Sequence, residues 1–317
     1  MLDVLKTTQS FLPQINDIKI DKDAINSVIS SVTEKDLQVS EISLAKNKWS
    51  KDQLIELTFL FNTMNFCFWA KAGEEKWAIK DDNLDGAIAL FRALENELVN
   101  DPNFLDAEAL ANMPIKTLGK ILEGNVVIPL LSERLNNIRN FGKVVEQKYG
   151  SSITSLLDVA NYDAYKLVEL LVDNFPCFDD TSTVNGTIVA FYKRAQLNSK
   201  MIHDILLSFG EKGLTNVDKL TAFADYKVPQ ILRNMGVLVY TDSLASKVDA
   251  MELIEANSYE EVEIRASAIW AVEYMKEALK QQFPFVTSSH IDSMLWNKSQ
   301  GVAKGKKPYH RTLTPAY

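Results

Sequence analysis

The sequence predicts a mainly α-helical fold with at most a few short strands. The 317 residues include only 12 Gly and 9 Pro, which suits long helices better than many strands and turns. Apolar residues also recur at helical spacing in several long segments, and no internal repeat or low-complexity tract interrupts them. A chain of this length can bury a substantial core. We expect residues 1–317 to act as one domain, which could comprise two packed helical lobes with the cleft between them.

Several segments carry the helical pattern. Residues 52–69 are apolar nearly all round, which predicts a central core helix. Its polar members Asn62, Thr63 and Asn65 would need hydrogen-bond partners if buried. An amphipathic helix follows, marked by Leu84, Ile88, Phe91, Leu94 and Leu98. Further helices are predicted over 115–123, 126–148, 152–173, 186–209 and 260–281, with short strands possible near 77–80 and 237–240.

The segment 220–230 places one carboxylate, Asp225, among aromatic and apolar neighbours. Pro229 suits the first position of a helix, where its missing N–H would be unpaired anyway. The helix is predicted over residues 230–235, and Gly236 would close it at the C′ position. Asp225 would then lie at the positive end of the helix dipole, which favours an ionised carboxylate.

Asp225 has two interpretations. A fixed carboxylate in a water-poor site can stabilise a developing cation, such as the oxocarbenium ion of a sugar that loses its leaving group. Alternatively, the carboxylate only ties down the start of the helix. Local sequence alone favours this structural role.

Composition and charge favour a small ligand in the cytoplasm. The formal charge of −8 argues against binding of polymeric nucleic acid, because a protein that binds it usually has a basic surface. Cys67 and Cys177 lie in apolar, aromatic company, so we expect buried thiols in a reducing compartment. The N-terminus has no signal-peptide pattern, and no stretch is long and apolar enough to span a membrane.

Metal and phosphate-loop motifs are missing from the sequence. His203, His290 and His310 are far apart, and no H-E-x-x-H or C-x-x-C spacing occurs. Residues 81–86 resemble a calcium loop only superficially, because the bidentate Glu is absent, and an N-cap is the better interpretation. G-x-G-x-x-G, Walker A and G-x-S-x-G motifs are also absent. Any chemistry must therefore depend on carboxylates and aromatic side chains.

A second candidate site lies near the C-terminus. Asp292 and Trp296 are four residues apart and would share a helix face. Such a pair could bind a base, with the ring stacking and the carboxylate accepting from base N–H groups. A surface Asp beside a half-buried Trp is an equally good explanation. Several cations could bind a phosphate group, namely Lys193, Arg194, Lys227, Arg311 and the lysines of the C-terminal tail. They could equally be ordinary charged residues of a solvent-exposed surface.

An ordered set of segments, taken together, resembles the queuosine salvage protein family, the queuosine 5′-phosphate N-glycosylase/hydrolases. The set runs from about residue 50 to the C-terminus and is specific as a set, although no single segment is decisive. The matching segments are Asn65-Phe66-Cys67-Phe68-Trp69, Phe175-Pro176-Cys177-Phe178, Phe191-Tyr192-Lys193-Arg194-Ala195-Gln196, residues 223–230, residues 261–265, residues 269–273 and His310-Arg311-Thr312.

This resemblance implies a helical fold like that of the helix–hairpin–helix DNA glycosylases. It also implies hydrolysis of the N-glycosidic bond of queuosine 5′-monophosphate to queuine and ribose 5-phosphate, for queuine salvage toward tRNA modification. No metal or organic cofactor is implied. The expected partner is a small nucleotide, with no nucleic-acid polymer and no membrane, and we expect a monomer.

The resemblance also assigns site residues. Asp225 would be the catalytic carboxylate, as a nucleophile or as an electrostatic stabiliser. Phe223 would stack on the deazaguanine ring. Asp292, Trp296 and Asn297 match the positions of the C-terminal helix that contact queuine in the family, with Asp292 accepting from ring N–H groups and Trp296 forming a pocket wall.

Some positions depart from the family pattern. Trp296 and Asn297 stand where relatives often carry Tyr and Asp, and residues 46–49 lack the base-contacting His that relatives tend to have there. Ala87 and Ile88 replace an aromatic pair. Two alternatives therefore remain beside the nucleotide hydrolase. One is an N-glycosidase of the free nucleoside, and the other is a catalytically silent module that binds a deazapurine base or nucleotide.

Overall fold

The structure is a computed structural model that describes residues 1–38, 48–79, 84–301 and 306–317. A few positions used in the sequence analysis lie outside the described residues. They are Lys46 and Asn47, the end of the possible strand at Lys80, residues 81–83 and the tail residue Lys304.

The described residues form 15 α-helices, so the prediction of a mainly α-helical fold is confirmed. The helix–hairpin–helix arrangement stays a prediction. In chain order the helices are α1 (Val4–Phe11), α2 (Lys22–Ile29), α3 (Glu34–Leu37), α4 (Lys51–Met64), α5 (Gly86–Asn100), α6 (Ala107–Ala111), α7 (Ile115–Ile121), α8 (Leu131–Lys148), α9 (Ser155–Val159), α10 (Ala164–Asn174), α11 (Lys193–Ser208), α12 (Lys227–Asn234), α13 (Asp242–Asp249), α14 (Tyr259–Leu279) and α15 (Ser288–Gln300).

Two small antiparallel sheets accompany the helices in the described part of the chain. Their strands are β1 (Ile18–Ile20), β2 (Thr181–Val184), β3 (Thr187–Ala190) and β4 (Leu238–Tyr240). β1 pairs with β4 in the register Lys19 to Val239, and β2 with β3 in the register Ser182 to Val189. The possible strand near 237–240 is confirmed as β4. Near 77–80 the structure has only an isolated bridge from Ala78 to Asp85.

The chain divides into two compact units. The first comprises Met1–Ser43, Asp180–Gln196 and Asn216–Leu313, and the second comprises Leu44–Asp179, Leu197–Thr215 and Thr314–Tyr317. The expectation that the whole chain acts as one domain stays a prediction.

In the first unit, α14 forms the centre of the packing. It contacts α2, β1, α12 and α15. Val262, Ala266, Ile269 and Val272, which recur at helical spacing, are all fully buried. This long helix therefore packs against several elements of its unit, as expected of a core helix.

In the second unit, the predicted core helix is α4, which ends at Met64 rather than continuing to residue 69. Side chains of α8 cap this end. Arg134, fully buried, donates to the carbonyls of Met64, Phe66 (2.5 Å) and Cys67 (3.2 Å), and also to Pro129 (3.1 Å). These bonds satisfy carbonyl groups that have no partner within the helix.

Gly142 allows α6 and α8 to pack closely in the same unit. A Cβ atom at this position would lie 2.4 Å from the Ala111 nitrogen and 2.6 Å from the Ala107 oxygen. Neither backbone atom can move aside, so only glycine fits at this contact.

Two predicted helices are wrong in part. The segment 186–209 begins as the strand β3 and becomes helical only at Lys193, and Ile188 on that strand is 51% exposed. The cause is the turn Asn185-Gly186, whose φ angles of 50° and 76° suit a tight β-hairpin. The segment 152–173 is split into α9 and α10, since Asn161 and Tyr162 both have positive φ, which ends a helix.

Both cysteines are free, as expected. The expected burial is confirmed for Cys67 but is wrong for Cys177, which is only half-buried. Burial raises the pKa of Cys67 to about 11. This thiol is therefore protonated and unreactive at neutral pH. None of the described helices is long and apolar enough to cross a membrane.

Arg134→Met should lower the free energy of unfolding by at least about 3 kcal/mol. Three buried carbonyl groups, those of Met64, Phe66 and Cys67, would lose a hydrogen bond from a charged donor, and each such loss costs about 1 kcal/mol or more. Urea denaturation measures the change. Arg139→Met is a matched control on α8, because Arg139 is half-buried and donates to one carbonyl only, that of Met113. Equal losses for both variants would contradict the capping role of Arg134.

Glu263 should make the free energy of unfolding depend on pH. One oxygen of this buried carboxylate accepts from the backbone N–H groups of Asn16, Asp17 and Ile18. Burial nevertheless outweighs these bonds and raises the pKa of Glu263 from 4.5 to about 6. The folded state then binds more protons than the unfolded state between these values, so stability falls as the pH rises through them, by about 2 kcal/mol.

The Glu263→Gln variant removes this titration and keeps an acceptor oxygen. Measured by urea denaturation, the stability of the variant relative to the wild type should increase by about 2 kcal/mol between pH 4.5 and pH 7.5. Parallel pH curves for the two proteins would contradict the assignment.

Candidate active site

The carboxylate of Asp225 forms the start of α12. Its Oδ1 accepts hydrogen bonds from the backbone N–H groups of Lys227 (2.7 Å) and Val228 (2.9 Å). The helix therefore begins at Lys227, and the predicted start at Pro229 is wrong by two residues. Pro229 instead lies in the first turn, where an N–H would also lack a helical partner. The predicted C′ glycine is confirmed, since Gly236 has a φ of 77°.

Asp225 combines burial with a fixed orientation. The residue is 5% exposed, and its Oδ1 is held by two donors at the positive end of the helix dipole. Among the residues that the structure describes, none donates a hydrogen bond to Oδ2. Oδ1 therefore fixes the carboxylate, while Oδ2 can still accept a hydrogen bond.

The segment that leads into Asp225 is held at successive residues. The Phe223 N–H donates to Oδ1 of Asp292 (2.8 Å), which projects from α15. The Ala224 carbonyl accepts from Nε of Arg265 (3.0 Å), which projects from α14. Three consecutive residues are thus fixed by three different helices, so the carboxylate position is determined by tertiary contacts.

A further contact holds the start of this segment. Oε1 of Gln196 accepts from the Thr221 N–H (2.8 Å), and its Nε2 donates to Oγ1 of Thr221 (2.9 Å) and to the Phe191 carbonyl (2.8 Å). Gln196 lies in the first turn of α11, within the motif 191–196. The structure therefore gives the glutamine of this motif a positioning role.

Arg265 is the centre of the charged network behind the segment. This side chain is 1% exposed, and it donates to both oxygens of Asp180 (2.9 and 2.6 Å) and to Glu261 (3.2 Å). Its guanidinium lies 3.9 Å from the ring centroid of Phe191. The planar donors of arginine suit this bidentate and stacked arrangement, which lysine cannot reproduce.

His310 is also buried, and it is held in the neutral form. Burial and the nearby positive charge of Arg265 lower the pKa of His310 to about 3. The imidazole therefore carries no charge at neutral pH, and this region has no histidine cation to offer a substrate.

The other predicted base contacts lie on α15. Asp292 is 2% exposed, whereas Trp296 and Asn297 are half-buried. The helix confirms that Asp292 and Trp296 share one face. Nδ2 of Asn297 donates to the Ser293 carbonyl (2.9 Å). The structure thus brings Phe223, Asp225 and Asp292 together, while contacts of Trp296 and Asn297 with a ligand stay predictions.

Two of the candidate cations lie around one aromatic ring. Nζ of Lys227 is 5.6 Å from the ring centroid of Tyr309, and the guanidinium carbon of Arg311 is 5.0 Å from it. The Tyr226 ring packs against Tyr309, with the centroids 4.9 Å apart. Lys227 is also the first residue of α12, so this cluster lies beside Asp225.

The other candidates, Lys193 and Arg194, are both buried. The Lys193 N–H donates to Oδ2 of Asp180 (3.1 Å). Within the described ranges, no group of three His, Cys, Asp or Glu side chains is arranged to hold a metal ion.

Sequence reasoning missed the positioning residues Asp180, Gln196 and Arg265. One signal was present, because Glu261 and Arg265 are four residues apart on a helix that is otherwise mostly apolar. Charges on such a helix are usually paired when buried. Asp180 gave no local signal, since it precedes a strand that the sequence analysis did not predict.

Comparisons with known proteins show to which family the chain is similar. A protein of Sphaerobacter thermophilus named queuosine 5′-phosphate N-glycosylase/hydrolase is 34% identical to the chain, and the alignment covers 100% of the chain and 98% of the relative. Proteins with the same name in Nematostella vectensis and Mus musculus are 32% and 30% identical, over 83% and 80% of the chain and 82% and 79% of the relatives.

The family model for queuosine salvage proteins matches residues 45–317. This range contains Phe223, Asp225 and Asp292, as well as the network around Arg265. On these similarities, the chain belongs to the queuosine salvage protein family.

Proposed function

We propose that the protein hydrolyses the N-glycosidic bond of queuosine 5′-phosphate and releases queuine and ribose 5-phosphate, for queuine salvage toward tRNA modification. Its relatives are named for this activity. The single observation that carries the proposal is the buried carboxylate of Asp225, whose Oδ1 is fixed by α12 and whose Oδ2 accepts no hydrogen bond from the described residues.

In the reaction, the bond between C1′ and the base nitrogen breaks, and its electron pair leaves with the base. Positive charge develops on C1′ and the ring oxygen, and water then adds to C1′ and loses a proton, while the base nitrogen gains one. An ionised Asp225 would stabilise the developing cation through Oδ2, or would bond to C1′ before water replaces it. The helix dipole supports both roles because it favours the ionised carboxylate.

Recognition of the base would use the surroundings of this carboxylate. Phe223 would stack on the deazaguanine ring, and Trp296 would form one side of the base pocket. The side-chain amide of Asn297 would form hydrogen bonds with the base. Asp292 already accepts from the Phe223 N–H through Oδ1. We propose that it positions Phe223 in addition to accepting from the base.

Recognition of the phosphate would use Lys227 and Arg311. Both cations lie within 6 Å of the Tyr309 ring centroid, and Lys227 is the first residue of α12. Two cations near a helix N-terminus suit a phosphate dianion. The acidic net charge of −8 supports a single nucleotide over a polymer. We also propose a cytoplasmic monomer that needs no metal or organic cofactor.

Asp225→Asn should lower kcat by at least about a thousandfold, because the variant loses the charge that stabilises the transition state. The amide oxygen can still accept from α12, so the fold should persist. Liquid chromatography of queuosine 5′-phosphate digests measures released queuine, with Asp218→Asn, an exposed neighbour, as the control.

Near-normal turnover by Asp225→Asn would contradict the catalytic role. If the folded wild type released no base from either the nucleotide or the nucleoside, the protein would be the silent binding module. Cleavage of queuosine alone would establish the nucleoside hydrolase.

Lys227→Met should raise KM for queuosine 5′-phosphate by about tenfold and leave KM for queuosine unchanged. One charge-assisted contact to phosphate contributes about 1.4 kcal/mol or more, which is a factor of ten. The backbone N–H of Lys227 still binds Asp225 in the variant. Lys116→Met, on an exposed position of α7, is the control. Equal increases in KM for both substrates would show that Lys227 does not bind the phosphate.

A further inference from the structure

Side chains of α12 bind the backbone of a residue near the C-terminus. Nδ2 of Asn234 donates to the Lys307 carbonyl (2.9 Å), and Oδ1 of Asn234 accepts from the Lys307 N–H (3.1 Å). Nε2 of Gln230, one turn earlier, donates to the same carbonyl (3.2 Å). Both backbone groups of Lys307 are thus paired with one helix face.

The amide of Asn234 is chemically suited to this contact. An amide side chain offers a donor and an acceptor at once, as a peptide group does. Aspartate could accept from the Lys307 N–H but could not donate to its carbonyl, and alanine could do neither. The two bonds therefore fix the position and the direction of the backbone at Lys307.

The segment is held again four residues later. The Arg311 carbonyl accepts from the Ile254 N–H (2.8 Å), within a bridge between Leu253 and Arg311. We call residues 307–311 the strap. The strap is anchored at both ends, and Tyr309 lies at its middle.

Tyr309 connects the strap to the candidate active site. Its ring is half-buried, packs against Tyr226 and lies near the cations of Lys227 and Arg311. Tyr226 and Lys227 directly follow Asp225 in the chain. A half-exposed phenol at this place can donate its O–H to a phosphate or ribose oxygen.

We propose that Asn234 is a positioning residue that holds the strap, so that Tyr309 contacts the ribosyl phosphate of the substrate beside Asp225. The inference rests on the proposed function. It adds a substrate-contacting residue, Tyr309, and a residue that acts through it without touching the substrate.

The test measures kcat and KM for queuosine 5′-phosphate in Asn234→Ala, Tyr309→Ala and the double variant. Asn234→Ala should raise KM by about tenfold, the effect expected from loss of about one good contact, and leave kcat within about twofold. The double variant should be no worse than Tyr309→Ala, because Asn234 acts through Tyr309. Asn112→Ala is the matched control, since Asn112 donates to the Glu108 carbonyl, four residues away, and to no distant backbone group among the described residues.

Amide hydrogen exchange gives a readout that does not depend on activity. Residues 307–311 should exchange faster in Asn234→Ala than in the wild type, while α14 stays unchanged. Asn234→Asp keeps the acceptor and loses the donor, so it should give intermediate exchange and an intermediate KM. This variant also serves if Asn234→Ala does not fold.

Each negative result overturns a distinct statement. Unchanged exchange in the strap overturns the role of Asn234. Faster exchange with unchanged KM, or additive effects in the double variant, overturns the route through Tyr309. Absence of turnover by the wild type overturns the proposed function and, with it, the proposed contact of Tyr309 with the substrate. The exchange data still decide whether Asn234 holds the strap.

Discussion

The buried guanidinium of Arg265 is the interaction on which the candidate active site depends. It joins Asp180, Glu261 and the Ala224 carbonyl around one side chain that is 1% exposed. Without the cation, the buried carboxylates of Asp180 and Glu261 would lose their ion pairs with Arg265, which is costly in the interior. The pairing lets an irregular segment with many polar backbone groups lie in the interior, because buried backbone groups need partners. Asp225 is consequently presented from a fixed loop rather than from a mobile surface turn.

The second unit applies the same principle with different partners. Arg134 donates to three carbonyl groups at and just after the end of α4 and to the carbonyl of Pro129. Its guanidinium lies 4.3 Å from the ring centroid of Phe66. Here backbone dipoles take the place of carboxylates. Each unit therefore uses a buried arginine to stabilise an irregular motif segment, residues 65–69 in one and residues 221–225 in the other.

The structural and catalytic interpretations of Asp225 are compatible. Oδ1 ties down the start of α12, as the structural interpretation requires. This same contact immobilises the carboxylate, and a carboxylate in a fixed position is what stabilisation of a sugar cation needs. A carboxylate has two oxygens, so Oδ1 can accept from the helix N–H groups while Oδ2 remains able to contact a substrate.

The sequence by itself determined the features that depend on local periodicity. The long helices α5 and α14, the C′ role of Gly236 and the position of Asp225 at a helix start were all predictable, because apolar spacing and capping residues act within a few residues of chain. The ordered motifs also identified the family. The sequence analysis failed at β3, where the hairpin signal Asn185-Gly186 was present but was outweighed by the apolar pattern around it.

Only the tertiary structure decided how the active-site segment is held. Asp292 is 69 residues from Phe223, Arg265 is 41 from Ala224 and Asp180 is 85 from Arg265. No local pattern encodes contacts at these separations, since they arise when packed helices bring distant side chains together. The start of α12 also shifted by two residues for this reason. The fixed loop places Oδ1 of Asp225 on the Lys227 and Val228 N–H groups, and this contact sets the first turn ahead of Pro229.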